Sequence, residues 1–128
     1  MDNRHLIKSE EGFTLIEIIA VLIILGILAA VAVPKFMNLT DEARDKAALQ
    51  AVAEGQSRLS MKAAQLILSN GVIPTTAYLV GAGVISTDAG DYTLGFSAST
   101  DTSIVDITAT GKGTVTGDAT GSWKRPTN

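Results

Sequence analysis

The sequence predicts an α+β chain: one long N-terminal helix, bent near Pro34, with a small antiparallel β-sheet packed on its C-terminal half. Three observations predict it. An apolar run extends over 21 residues, Phe13 to Val33, with Glu17 its only charge. A second run, Lys35 to Ser69, repeats apolar residues at three- and four-residue spacing, the period of a helix face. After Asn70 the composition turns to Gly, Thr, Ser, Ala and Asp, and short Thr/Val/Ile-rich stretches alternate with turn residues.

The apolar run comes first. At helical rise 21 residues span about 31 Å, close to the hydrocarbon thickness of a bilayer. No polar face exists, so such a helix needs lipid or a packed helical core around it. Arg4 and Lys8 precede it, whereas Lys35, Arg44 and Lys46 follow, so the positive-inside signal is weak. Three readings compete. A secretory signal is suggested by Ala30-Val31-Ala32, but the run is long for one and carries an acid near its start. A single-pass anchor explains the length and leaves Glu17 without a reason. The third reading is a segment that starts in the membrane and ends in a protein assembly. Glu17 favours it. A carboxylate in an apolar helix costs on the order of a few kcal/mol and implies a partner. The segment has no Lys, Arg or His to supply one, so the partner is expected from outside. A cut after Gly12 would give Phe13 a free amine, and that amine on a neighbouring copy would suit Glu17.

Gly12-Phe13-Thr14-Leu15-Ile16-Glu17 resembles the processing motif of type IV prepilins and of the related pseudopilins. The resemblance is close from Gly12 to Pro34 and architectural beyond. It implies a leader, residues 1–12, removed by a membrane aspartyl peptidase that cuts after Gly12 and methylates Phe13. It implies that Glu17 neutralises a neighbour's N-terminus during assembly. Gly26 and Pro34 fall where the family often has a glycine and a proline, in a stretch that loosens as subunits pack. Their plain reading is helix packing and a helix-exit kink, and the two readings are compatible. Glu10 and Glu11 make this leader less basic than is common in the family. The cysteine pair that closes a C-terminal loop in many pilins is missing.

The helix is expected to continue through residues 35–70. Phe36, Leu39, Ala43, Ala47, Leu49, Val52, Leu59, Ala63 and Leu66 mark its apolar face, and Glu42–Lys46 and Glu54–Arg58 are spaced as ion pairs. Gly55 either weakens it, by about 1 kcal/mol relative to Ala, or permits close packing. Asn70-Gly71, with Pro74 beyond, is a stop signal. A helix from Phe13 to Ser69 would be about 85 Å long, too long for so small a chain to cover. That argues for identical neighbours independently of any family.

Residues 71–128 are expected to form a loop and the sheet. Val72–Ser86 reads as a loop with a short turn of helix around Thr76–Val80. Tyr92–Ala98, Ser103–Thr108 and Gly113–Thr116 read as strands, with Trp123 adding a last strand or a lid. The sheet should cover the stripe at Val52, Leu59 and Leu66. Asp88, Asp91, Asp101, Asp106 and Asp118 lie in or near turns. A calcium site is known in related pseudopilins, but no EF-hand-like pattern is present, and turn formation is the expected role.

Composition excludes much. There is no Cys, and the single His, His5, sits in the expected leader, so thiol chemistry, His–Ser–Asp catalysis and histidine zinc sites have no residues to use. No cofactor is expected and the chain is not read as an enzyme. With net charge -3 and only scattered Lys112, Lys124 and Arg125, nucleic acid would bind weakly and only through arrays of subunits. Asn38-Leu39-Thr40 matches a glycosylation sequence, but its place just past the apolar run argues for chance.

The function implied by the resemblance is a structural subunit of a type IV pilus, serving adhesion, motility or DNA uptake. Expected partners are identical subunits, the prepilin peptidase and N-methyltransferase, and the assembly platform with its motor. The precursor is expected in the inner membrane and the polymer outside the cell. The alternatives are a type II secretion pseudopilin or a minor pilin, and below them a monomeric membrane-anchored binding module. Retention of Glu17 and the lack of a pseudopilin-like calcium loop favour a major pilin.

Overall fold

The structure is a computed structural model that describes residues 12–127. The expected leader residues before Gly12, His5 among them, lie outside the described residues. Two compact units divide the chain between Met37 and Asn38.

Helix α1 runs Leu15–Asn70 and continues through Pro34. In the first unit it carries only its own turns. Every large apolar side chain from Phe13 to Leu39 is at least 46% exposed. In the second unit α1 has a covered face, formed by Ala48, Ala51, Val52, Gly55, Leu59 and Ala63 at three- and four-residue spacing. The sequence stripe began too early: Phe36, Leu39 and Leu49 are exposed, and Leu66 is half-buried. The covering sheet sets this limit, because a period alone cannot say how much of a helix another layer reaches.

α1 ends at Asn70, and Gly71 takes a φ of +67°, with its N–H on the Ile67 carbonyl at 2.9 Å. A glycine pays no Cβ penalty there. A short helix α2, Thr76–Leu79, follows; the Thr75 hydroxyl caps it by accepting the Tyr78 N–H.

Four strands form an antiparallel meander, β1 (Asp88–Ala89), β2 (Tyr92–Ala98), β3 (Ile104–Gly111) and β4 (Asp118–Lys124), in spatial order β1-β2-β3-β4. β3 alternates as a half-buried strand should: Val105, Ile107 and Ala109 turn inward and Thr108 and Thr110 outward. Leu94 opposite Ala109, and Val105 opposite Trp123, set the register across the sheet.

Gly113–Thr116 is not a strand. Gly113 has φ +60°, and the Val115 N–H bonds the Lys112 carbonyl at 3.0 Å, so this segment is the turn between β3 and β4. Trp123 belongs to β4.

The core joins α1 to the inner face of the sheet: Leu59, Leu79, Leu94, Val105 and Ile107 are fully covered. Each such side chain contributes roughly 1.5–3 kcal/mol of burial. Small residues let the layers close. A Cβ on Gly55 would stand 3.1 Å from Ile107 Cγ2, and one on Gly121 would stand 2.5 Å from Val52 Cγ1. Two side-chain bonds pin β4 to α1: Gln56 Nε2 to the Ser122 carbonyl at 2.9 Å, and Trp123 Nε1 to Ser60 Oγ at 2.8 Å. Arg58 pairs with Glu54 and also donates to the Ser86 carbonyl at 2.8 Å. The Glu42–Lys46 spacing yields no ion pair; Arg44 pairs with Asp41 instead, at 3.3 Å.

Candidate functional site

The site is the junction that opens α1. The first turn of a helix has N–H groups without intrahelical partners, and two side chains here meet that need. The Thr14 N–H donates to Glu17 Oε2 at 2.8 Å, and the Glu17 N–H reaches back to Thr14 Oγ1 at a long 3.4 Å. The Thr14 carbonyl accepts from the Glu17 and Ile18 N–H groups at 3.1 and 3.3 Å. This reciprocal arrangement is a capping box, Thr-x-x-Glu, immediately before an apolar run.

The box alters the reading of Glu17. No cation stands in the segment, yet the carboxylate has a donor inside its own chain. It also lies at the positive end of the helix dipole, which favours an anion. The motif was visible as Thr14-Leu15-Ile16-Glu17. Reading Glu17 as a charge in search of a counter-charge hid its role as a hydrogen-bond acceptor.

Around the box the surface is apolar. Phe13 is 84% exposed, Leu15 79% and Ile16 75%. Gly12, Phe13, Thr14 and Glu17 thus meet at one exposed end, the scissile bond of the expected cut one residue before the box. Gly26 and Pro34 lie further along α1, apart from this end. A Cβ on Gly26 would meet nothing within 4 Å, so within this chain no contact requires a glycine there. Pro34 has no N–H to give the Ala30 carbonyl. α1 is the one helix among the described residues long and apolar enough to cross a membrane, and its apolar window is wholly uncovered.

Asp88 and Asp101 serve turns, whereas Asp106 lies within β3. Asp88 Oδ1 accepts from the Gly90 N–H at 3.1 Å and from Lys112 Nζ at 2.7 Å. The Lys112 hydrogen bond and charge hold its carboxyl below the usual range, with help from Gly90. Asp101 Oδ1 accepts from Ser103 Oγ at 2.7 Å and from the Ser103 N–H at 2.8 Å, which lowers its pKa as well. Among the described residues no three His, Asp or Glu side chains gather to hold a metal ion.

The family model of the prokaryotic N-terminal methylation motif matches residues 7–33, across this junction and most of the apolar run. The N-terminal segment therefore carries this methylation motif. The methylation-motif segment brings three kinds of relative with it. The type IV narrow pilus major component PilA5 of Thermus thermophilus is 61% identical over 33 residues, 26% of this chain and 28% of that protein. The type IV major pilin protein PilE of Neisseria gonorrhoeae is 36% identical over 83 residues, 65% of this chain and 47% of that protein. The type II secretion system core protein G of Dickeya chrysanthemi is 36% identical over 75 residues, 59% of this chain and 46% of that protein. The chain spans less than half the length of each of these curated relatives. No solved structure matches it. The architecture, a long N-terminal helix with a four-stranded antiparallel sheet on it, is pilin-like.

Proposed function

We propose that this chain is the major structural subunit of a type IV pilus. In this reading residues 1–12 are a leader cut after Gly12, and Phe13 is the methylated first residue of the mature chain. Residues 13–34 sit in the inner membrane before assembly and in the filament core afterwards; 35–70 continue the helix, and 71–128 complete the outer layer. The prepilin peptidase and an assembly platform with its motor act on the chain, and adhesion, motility or DNA uptake is the use of the polymer. Like the pilins it resembles, it is a structural protein and not an enzyme.

One observation carries the proposal: every large apolar side chain from Phe13 to Leu39 is exposed, on a helix that carries a methylation motif. Lipid can cover that surface for a monomer, and a core of packed subunit helices can cover it outside a membrane. Glu17 then has two successive partners. The Thr14 N–H holds it in the free chain. The Phe13 amine of a neighbour adds the counter-charge on assembly. Gly26 and Pro34 mark where the helix gives during packing.

N-terminal sequencing with mass analysis of the mature chain tests this. A start at methylated Phe13 is expected; a start at Val33, or an intact Met1, rejects it. The 75-residue match to a type II secretion core protein supports a pseudopilin as the second reading. Negative-stain images of sheared surface material separate the two, since long surface filaments are expected of a pilus and short periplasmic ones of a pseudopilus.

A further inference from the structure

We propose that a groove beside Lys62 receives the Asp45 face of a second copy of this chain; the inference rests on the filament reading and adds a contact between outer layers. The groove, about 510 Å³, lies between α1 and the segment before β1, and is lined by Arg58, Met61, Lys62, Gln65, Val84 and Ile85. Arg58 is already engaged by Glu54 and the Ser86 carbonyl. Lys62 is half-buried among apolar neighbours, and among the described residues no carboxylate lies within 4.0 Å of its ammonium. Its stem lies along apolar surface while its charge stays available. A carboxylate entering such a site would be partly desolvated, where attraction exceeds that of an open surface pair.

The complement is on the same helix. Glu42, Asp45 and Leu49 recur at three- and four-residue spacing, so they share one face. All three are exposed, and among the described residues neither Glu42 nor Asp45 has an ion-pair partner; Arg44 pairs with Asp41. Asp45 stands between Glu42 and Leu49 on this face. The face therefore offers an acid with an apolar residue one turn on. The groove offers a cation with Met61 and Val84 beside it.

The offset between the two patches decides what they build. Lys62 follows Asp45 by 17 residues and Glu42 by 20. At helical rise that is about 26–30 Å along α1. Copies that share one membrane orientation are parallel, so each can meet the next only head to tail. Such a contact leaves a free patch at both ends and propagates rather than closing.

The chain has no cysteine, so a pair can be introduced without background. The full chain carrying Asp45→Cys and Lys62→Cys is expressed in cells that assemble it, and sheared surface filaments are treated with a bis-maleimide whose span matches a Lys–Asp contact and run under denaturing conditions. A ladder of dimers, trimers and higher species is expected, with each single variant giving none. Filaments without a ladder, a band stopping at dimer, or a link to a different protein overturns the groove contact while the filament reading stands. Absence of filaments from the unaltered chain overturns the filament reading itself. Charge reversal supplies the second arm. Lys62→Glu should lower filament yield roughly tenfold, by placing like charges together, and adding Asp45→Lys should restore it. Unchanged yield in the first variant, or no recovery in the second, overturns the proposal.

Discussion

Leu22 and Leu59 sit on the same helix and meet opposite surroundings. Leu22 is 61% exposed and Leu59 is fully covered. Gly26 and Gly55 repeat the contrast, the first facing open space and the second lying against Ile107, Leu94 and Phe96. The second unit covers a core of its apolar residues within the chain, though Leu49, Met61 and Leu68 stay exposed. The first leaves all of them for something else to cover. One helix can thus serve two solvents, because covering is decided by what packs on it and not by its own sequence period.

The comparison can be broken at several points. The largest effect is expected at Glu17. Glu17→Ala should leave membrane insertion intact and abolish or strongly impair polymerisation, read as surface filaments against membrane-held monomer. Equal filament yield would mean that the first unit finds its partners without this acid. Next, Leu59→Ala should destabilise the second unit by about 2–5 kcal/mol, the usual cost of a core leucine. Leu22→Ala should leave thermal unfolding of that unit in detergent micelles unchanged. Equal losses from the two would erase the distinction between the units.

A smaller effect is expected at the glycines. Gly121→Ala puts a Cβ 2.5 Å from Val52 Cγ1, and overpacking of this kind costs roughly 1–3 kcal/mol. Gly26→Ala has room, and should raise helix content in micelles, because alanine is favoured over glycine by about 1 kcal/mol inside a helix. Circular dichroism melts of both variants check the opposite signs. The smallest effect concerns Asp88. Its folded pKa is lowered by Lys112, so the pair's stabilisation is present above the unfolded carboxylate value of about 3.9 and fades as pH falls through the folded one. Lys112→Ala should therefore lower the melting temperature slightly at neutral pH and leave it unchanged at low pH, which flattens the acid limb below about pH 4.

Much of the fold was legible because it rests on local signals. The apolar run, the helix stop at Asn70-Gly71 and the alternating strand Tyr92–Ala98 all carry their own chemistry. β4 did not. Asp118-Ala119-Thr120-Gly121-Ser122 has little strand preference. It is a strand because β3 pairs with it and because Trp123 and Ser122 bond to α1. Gly121 is useful there for having no side chain, and a propensity count reads that as weakness. Gly113–Thr116 misled in the opposite direction: its Thr and Val suggest a strand, but a left-handed glycine turns the chain. At the junction the motif Gly12–Glu17 was plain in sequence. The bond from Thr14 to Glu17 was equally readable as a cap.

Trp123 has one more consequence. It is the only tryptophan, it is 7% exposed, and its indole N–H ends on Ser60 across the helix–sheet boundary. Its emission colour is therefore an internal gauge of whether the last strand is seated. A red shift would announce detachment of β4 from α1 without any added dye. Subunits lacking the last strand's grip could then be told apart optically from those that have merely failed to polymerise.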